Sequence, residues 1–204
     1  MKQQELKEVI REISEGVGDY FKHIDNLKKY GKHAIVELLN TEIKHQPGVR
    51  DGRDAMTDIL GAISMLSKEK ETFDFVLNFF DQELAKPQDQ QKYVSSLAWA
   101  LGGTGNQEAD RLIAKCLNHK DKWIRWMACE SLLKLKSERS IPALIDALKD
   151  RSEMVKITAI TALKEFGTMD ALPALKRLSE SKRLAISEAA IAAIILIKKR
   201  SSLM

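Results

Sequence analysis

Ile124-Arg125-Trp126-Met127-Ala128-Cys129-Glu130-Ser131-Leu132 decides the fold, because its frame returns at a fixed interval. Val155-Lys156-x-x-Ala159-x-x-x-Leu163 stands 31 residues on, and Ile186-Ser187-x-x-Ala190-x-x-x-Ile194 another 31 beyond. Between these frames a second element repeats too, Ile141-Pro142-Ala143-Leu144 against Leu172-Pro173-Ala174-Leu175. A fainter copy reads Ala98-Trp99-Ala100-Leu101-Gly102 followed by Ala109, Leu112 and Cys116, with Leu101 31 residues before Leu132. A two-helix pattern recurring every 30 to 45 residues or so is the mark of a helical solenoid, in which no unit buries its apolar face alone.

Working outward, the spacing predicts paired helices over 122–135 with 141–149 and over 153–166 with 171–178, then a last helix over 184–198. Pro142 and Pro173 fall in first turns, where the missing N–H has no intrahelical partner. Gly167 reads as a left-handed stop after Phe166. Upstream, 109–118 follows a helix over 91–101, and Gly102-Gly103-Thr104-Gly105-Asn106 between them reads as a turn. That run lacks the Gly-Lys-Ser/Thr ending of a phosphate-cradling loop and follows a helix where such a loop needs a strand. In the first part of the chain, threes and fours of apolar residues predict helices over 3–26 and 25–44, weakened at Gly16, Gly18 and Gly31. The turn dipeptides of 45–53 mark a loop, Asp54 caps a helix to Leu66, and a partner helix over 69–84 closes at Pro87.

The pattern D-x-x-x-x-V-R-x-x-A-x-x-A-L, a short turn, then A-x-P-x-L-x-x-x-L resembles the HEAT-like repeat of the phycobilisome-lyase type. Ile124, Arg125, Ala128, Leu132, Pro142, Leu144 and Leu148 carry it in one repeat; Asp150, Val155, Lys156, Ala159, Ala162, Leu163, Pro173, Leu175 and Leu178 carry it in the next. The resemblance covers about 92–204 and implies an all-α fold, a right-handed α-α superhelix of antiparallel helix pairs. The chain is expected to form one α-solenoid domain over 1–204, with divergent helices in 1–90 and clear repeats in 91–204. The resemblance also implies that Arg125 ties adjacent turns through Asp or carbonyl contacts. It is nearly silent on activity, since one repeat serves scaffolds, lyases and nucleic-acid enzymes.

With 204 residues, 44% apolar, 30% charged and only 4 Pro, the chain is expected to be an ordered, soluble, helix-rich protein. Its charge is uneven: 1–118 holds 16 Lys+Arg against 19 Asp+Glu, and 119–204 holds 17 against 10. The basic second part suits an acidic protein, a nucleic acid or an anionic membrane surface. However, Glu130, Asp146, Glu153 and Glu165 interrupt any basic stripe. The first residues lack the apolar run of a secretory signal. The longest apolar run, 189–197, is too short to span a bilayer. A cytoplasmic location is therefore expected, with Cys116 and Cys129 as buried thiols.

No catalytic, metal or cofactor site is legible. His23, His33, His45 and His119 form no i, i+4 pair, and no Gly-x-Ser-x-Gly elbow is present. In helical solenoids the second helix of each pair lines the concave surface, which here would present Glu108, Arg111, Lys115, Asp146, Lys149, Lys176 and Arg177. Asp121-Lys122-Trp123-Ile124-Arg125-Trp126 is the most distinctive local run. Repeat alignment sets Trp123 over Met154 and Trp126 over Ile157, as packing would; the alternative is an exposed Trp beside Arg125, a pairing typical of interface hot spots and base stacking.

These features point to a non-enzymatic protein-protein interaction module, an adaptor, scaffold or immunity-type binder, gripping a partner with Arg111, Lys115, Trp123, Arg125, Trp126, Lys149, Lys176 and Arg177. The alternative is a nucleic-acid binder, or an enzyme similar to the HEAT-like alkylpurine DNA glycosylases, using Trp123, Trp126, Arg125 and Asp121. The helix over 184–198 is apolar over most of its circumference, and a homodimer, a partner protein or a neighbouring domain would cover it.

Overall fold

The computed structural model describes residues 2–41 and 55–203. The predicted loop over 45–53, the Asp54 cap and the end of the second predicted helix lie outside the described residues. The described residues are all-α, and they divide into two compact units, Met1–Lys86 with Gln91–Thr104, and Pro87–Gln90 with Gly105–Met204. None of their helices is long and apolar enough to cross a membrane.

The first unit holds α1 (Lys2–Glu15), α2 (Tyr20–Lys28), α3 (Lys32–Asn40), α4 (Ala55–Leu66), α5 (Lys70–Ala85) and α6 (Val94–Thr104). Two predicted helices thus become three. Gly16 and Gly18, at φ 64° and 78°, break the first, and Gly31 at φ 50° breaks the second. Asp19 restarts the chain as α2 by accepting from the Phe21 and Lys22 N–H groups at 3.0 and 3.2 Å. α4 packs on α1, α2, α3 and α6, so its Ile59, Ile63 and Leu66 are nearly or fully buried. Each such side chain contributes roughly 1.5–3 kcal/mol of burial. Thr72 donates to the Leu66 carbonyl and closes the α4–α5 turn. α6 runs to Thr104, past its predicted end at Leu101. Gly102 and Gly103 belong to the helix because α6 lies close against α4: a Cβ on Gly103 would stand 2.4 Å from the Ser64 Oγ.

The second unit holds α7 (Asp110–Lys115), α8 (Lys122–Leu135), α9 (Ile141–Ala147), α10 (Glu153–Phe166), α11 (Leu172–Ser179) and α12 (Leu184–Ser201). Here the period is kept to the residue. α8, α10 and α12 begin 31 residues apart, as do α7, α9 and α11, and as do the one-turn 3-10 segments Gln107–Ala109, Glu138–Ser140 and Met169–Ala171 that lead into the latter three. α8 packs on α10 and α10 on α12 through a column of small residues, Ala128, Ala159 and Ala190, all fully buried. Ile113, Leu144 and Leu175 form the matching column on the second helices, also fully buried.

The long helices end differently from the prediction. Gly167 is extended (φ −65°, ψ 156°), not left-handed. A small residue is needed there for close approach, since a Cβ would come within 2.4 Å of the Leu163 carbonyl oxygen. Arg200 of α12 donates to the carbonyls of Lys164, Glu165 and Gly167 at 2.7–3.0 Å, satisfying the groups that a helix end leaves open. The left-handed stop occurs one period earlier, at Lys136, with φ 49° and ψ 38°. A lysine in that conformation is strained. Lys136→Gly is expected to stabilise the protein by about 0.5–1 kcal/mol, the left-handed penalty less the added flexibility of glycine. An unchanged or lower midpoint in urea denaturation would refute this.

Candidate functional site

The surface of the second helices follows from the same period. Arg111, Pro142 and Pro173 are exposed at equivalent positions, and so are Lys115, Asp146 and Arg177. Lys149 and Lys176 are exposed beside them, and Lys149 bonds Asp146 at 2.9 Å. Among the described residues, Arg111, Lys176 and Arg177 make no ion pair within the chain. The sequence pattern places these cations at the surface, on the side of each helix away from its buried apolar residues.

At the head of α8, Asp121 caps the helix by accepting from the Trp123 N–H at 2.8 Å. Trp123 is 55% exposed. It meets Trp126 edge to face, ring centroids 6.1 Å apart at 83°, and Trp126 itself is half-buried. The Lys122 ammonium lies over the Trp123 ring, 5.4 Å from its centroid. The cation on the exposed indole is thus Lys122, which sequence reasoning missed. Its sequence signal was adjacency alone.

Arg125 is a correction to the predicted binding set. It is 5% exposed, and its guanidinium makes four hydrogen bonds: Nε and Nη2 donate to the two carboxylate oxygens of Asp150 at 2.6 and 2.9 Å, and Nη1 donates to the carbonyls of His119 and Lys120 at 2.8 and 2.9 Å. The physical reason is that a buried guanidinium needs acceptors and a counter-charge, and Asp150 with the His119 and Lys120 carbonyls supplies them. The arginine ties α8 to the turn before α10, as the repeat resemblance implied. With Asp121 capping and Arg125 buried, two of the four side chains behind the glycosylase alternative serve the fold.

The buried polar groups around this tie are matched in pairs. Asp150 accepts from the Ser152 N–H at 2.7 Å, and His119, one period earlier, accepts from the Asp121 N–H through Nδ1 at 3.0 Å. Nδ1 is then unprotonated, so the neutral ring carries its proton on Nε2, which is buried with no hydrogen-bond partner among the described residues. Burial pushes the His119 imidazole below its ordinary value, with Lys120 and Arg125 adding to it and Asp121 opposing. Burial raises the Asp150 carboxyl, but the hydrogen bonds from Arg125 and Ser152 and the charges of Arg125 and Arg151 outweigh it and hold it below the usual carboxylate range. Asp110, also buried, accepts from the Ser137 hydroxyl at 2.5 Å and joins α7 to the next turn, a tie that its place on a charged helix did not reveal.

Cys116 and Cys129 are buried, and burial pushes both thiols up to about 12, which leaves no thiolate for nucleophilic work at neutral pH. Among the described residues no group of His, Cys, Asp and Glu is arranged to hold a metal ion; His45 lies outside them. The arrangement offers an exposed indole and a row of cations, which is recognition chemistry.

Arg125→Ala would leave the Asp150 carboxylate buried without its cation, and a loss of about 3 kcal/mol is expected in denaturant unfolding; a loss under about 1 kcal/mol would refute the burial of this pair. The pH dependence follows from the two directions. His119 is depressed in the folded state, so its contribution is full above about pH 6.5 and declines as the unfolded chain takes up a proton below that. Asp150 is also depressed, so its contribution is full above about pH 4 and is lost as pH falls further. His119→Asn should abolish the first decline and leave the second.

Comparison with known proteins follows the same lines. The family described as HEAT repeats matches residues 82–154 and 141–203. Among curated proteins none matches. Among solved structures, the complex of CpcE and CpcF of phycocyanin lyase from Nostoc sp. PCC7120 is similar, with TM-score 0.56 and 20% identity over 79% of this chain and 70% of that one. A designed armadillo repeat protein in complex with the peptide (KR)4 is similar with TM-score 0.55 and 19% identity over 96% and 94%. Computationally designed armadillo repeat proteins for modular peptide recognition are similar with TM-score 0.55 and 16% identity over 95% and 92%. At these identities the likeness is one of fold.

Proposed function

This chain belongs to the HEAT-repeat family, and from that premise we propose that it is a non-enzymatic module that grips an extended, acidic segment of a protein partner on the face made by α7, α9 and α11. The observation that carries this reading is the row of exposed cations Arg111, Lys176 and Arg177, which make no ion pair among the described residues. Such cations on α7 and α11, on either side of α9, attract an acidic chain and set its register. The similar designed armadillo protein is seen with a basic peptide; the excess of cations on this face favours the opposite sign. The similar lyase chain is seen in a complex of two proteins, which accords with a role as one member of an assembly.

Trp123 supplies the anchor. A rigid, exposed indole with a lysine over its face offers large apolar area at little entropic cost, the character of interface hot spots. The short connection 116–121 carries the chain from α7 to this residue. An ordinary footprint of about 800 Å² per partner would include both the indole and the cation row. A cytoplasmic location goes with this reading, since Cys116 and Cys129 there stay as thiols.

The test is a pull-down of native partners with the wild-type chain, followed by affinity measurement on the captured protein and on an acidic peptide from it. Trp123→Ala is expected to weaken binding by about 2 kcal/mol, near thirtyfold. Arg177→Glu should weaken it further as salt is lowered, because repulsion then acts unscreened. Labelled duplex DNA should not bind at low salt. DNA affinity that falls steeply and linearly with log[salt] would overturn the proposal in favour of a nucleic-acid ligand.

A further inference from the structure

α12 has one face packed and one face open. Ile186, Ala190, Ala193 and Ile197 are buried where the helix packs on α10 and α11. Opposite them Leu184, Ile191 and Ile195 are 70%, 46% and 59% exposed, and Glu188 and Lys198 are exposed in line with them. Leu184, Glu188, Ile191, Ile195, Lys198 and Ser202 follow one another at intervals of four and three. That is the spacing of a seam by which a helix pairs lengthwise with another.

The seam reads the same from either end. About residue 193, Ile191 answers Ile195, Glu188 answers Lys198 with Lys199 at its side, and Leu184 answers Ser202. We propose that this face is an interface between two copies of the chain, with the α12 helices antiparallel across a two-fold axis near Ala193. Laid in this way, the Ile191 and Ile195 side chains of the two copies meet in the middle, and each Glu188 lies opposite the lysines of the other copy. Such a contact is self-complementary and closes on itself. A parallel arrangement would set Glu188 on Glu188 and Lys198 on Lys198.

Charge complementarity selects a second copy as the occupant. Among the described residues, Glu188, Lys198 and Lys199 make no ion pair within the chain, so both signs of charge are available at matched distances from the centre. This inference uses a different face from the partner surface on α7, α9 and α11 and stands or falls separately from it.

Sedimentation or light scattering of the full chain, from low micromolar to several hundred micromolar, reads the outcome. The wild type is expected to pass from one to two copies as concentration rises. Glu188→Lys, and separately Lys198→Glu with Lys199→Glu, should each weaken the dimer by about tenfold or more, since both ion pairs become repulsions. Mixing the two variants should restore it, because each lysine at 188 then faces glutamates and each remaining Glu188 faces lysines. These are surface changes, and unaltered circular dichroism confirms that they act on association. A wild type that stays monomeric throughout overturns the proposal, as does a dimer that the charge reversals leave unchanged or that mixing fails to restore.

Discussion

Close approach of helices along the alanine column Ala128, Ala159 and Ala190 is the constraint from which the second unit follows. With a methyl group at each crossing, α8, α10 and α12 can lie side by side. The larger residues that flank the column, Leu132 and Leu163 among them, then fill the space between the long and short helices. A bulkier residue at any one of these three positions would push two helices apart and open the layer beneath. The same demand for closeness appears in the first unit, where Gly103 lets α6 lie against Ser64 of α4. In each case a small side chain is kept because of what lies opposite it.

Two arginines inside this arrangement are each held by several acceptors at once. Arg125 meets both oxygens of Asp150 and two carbonyls, and Arg200 meets three carbonyls at the end of α10. The period sets where such ties can form, but the residue at each position decides whether one does. One period after Arg125 and Asp150 stand Lys156 and Ser181, and that rung is not repeated. His119 occupies the position of Asp150 one period earlier and keeps only the local half of its role, the bond to the N–H two residues on. Its buried Nε2 is what remains of the missing half.

The functional reading takes its form from what the fold leaves over. Each short helix buries its apolar side, so the cations on the other side of α7, α9 and α11 reach solvent. Trp123 reaches solvent for a related reason: it precedes the first buried turn of α8, where Asp121 caps the helix and Arg125 turns inward. The two residues that looked like one hot spot in the sequence thus part company, one to the surface and one to the core. α12 shows the same logic on a larger scale, since one side packs on α10 and α11 and the other stays exposed.

The sequence by itself determined the all-α repeat, its 31-residue period, the bounds of α8 and α10 to the residue, and the outward row of Arg111, Lys149, Lys176 and Arg177. These are periodic properties, and a buried column recurs in sequence as regularly as it does in space. Only the tertiary structure decided the partner of Arg125, the burial of His119 and Asp110, the exposure of Trp123 with Lys122 over it, the extended backbone of Gly167 and the left-handed one of Lys136. Each depends on a group 25 or more residues away, or on how far one helix end is covered by its neighbour. No local pattern carries that distance, because the same arginine or glycine is compatible with a buried tie and with an open surface until its neighbours are in place.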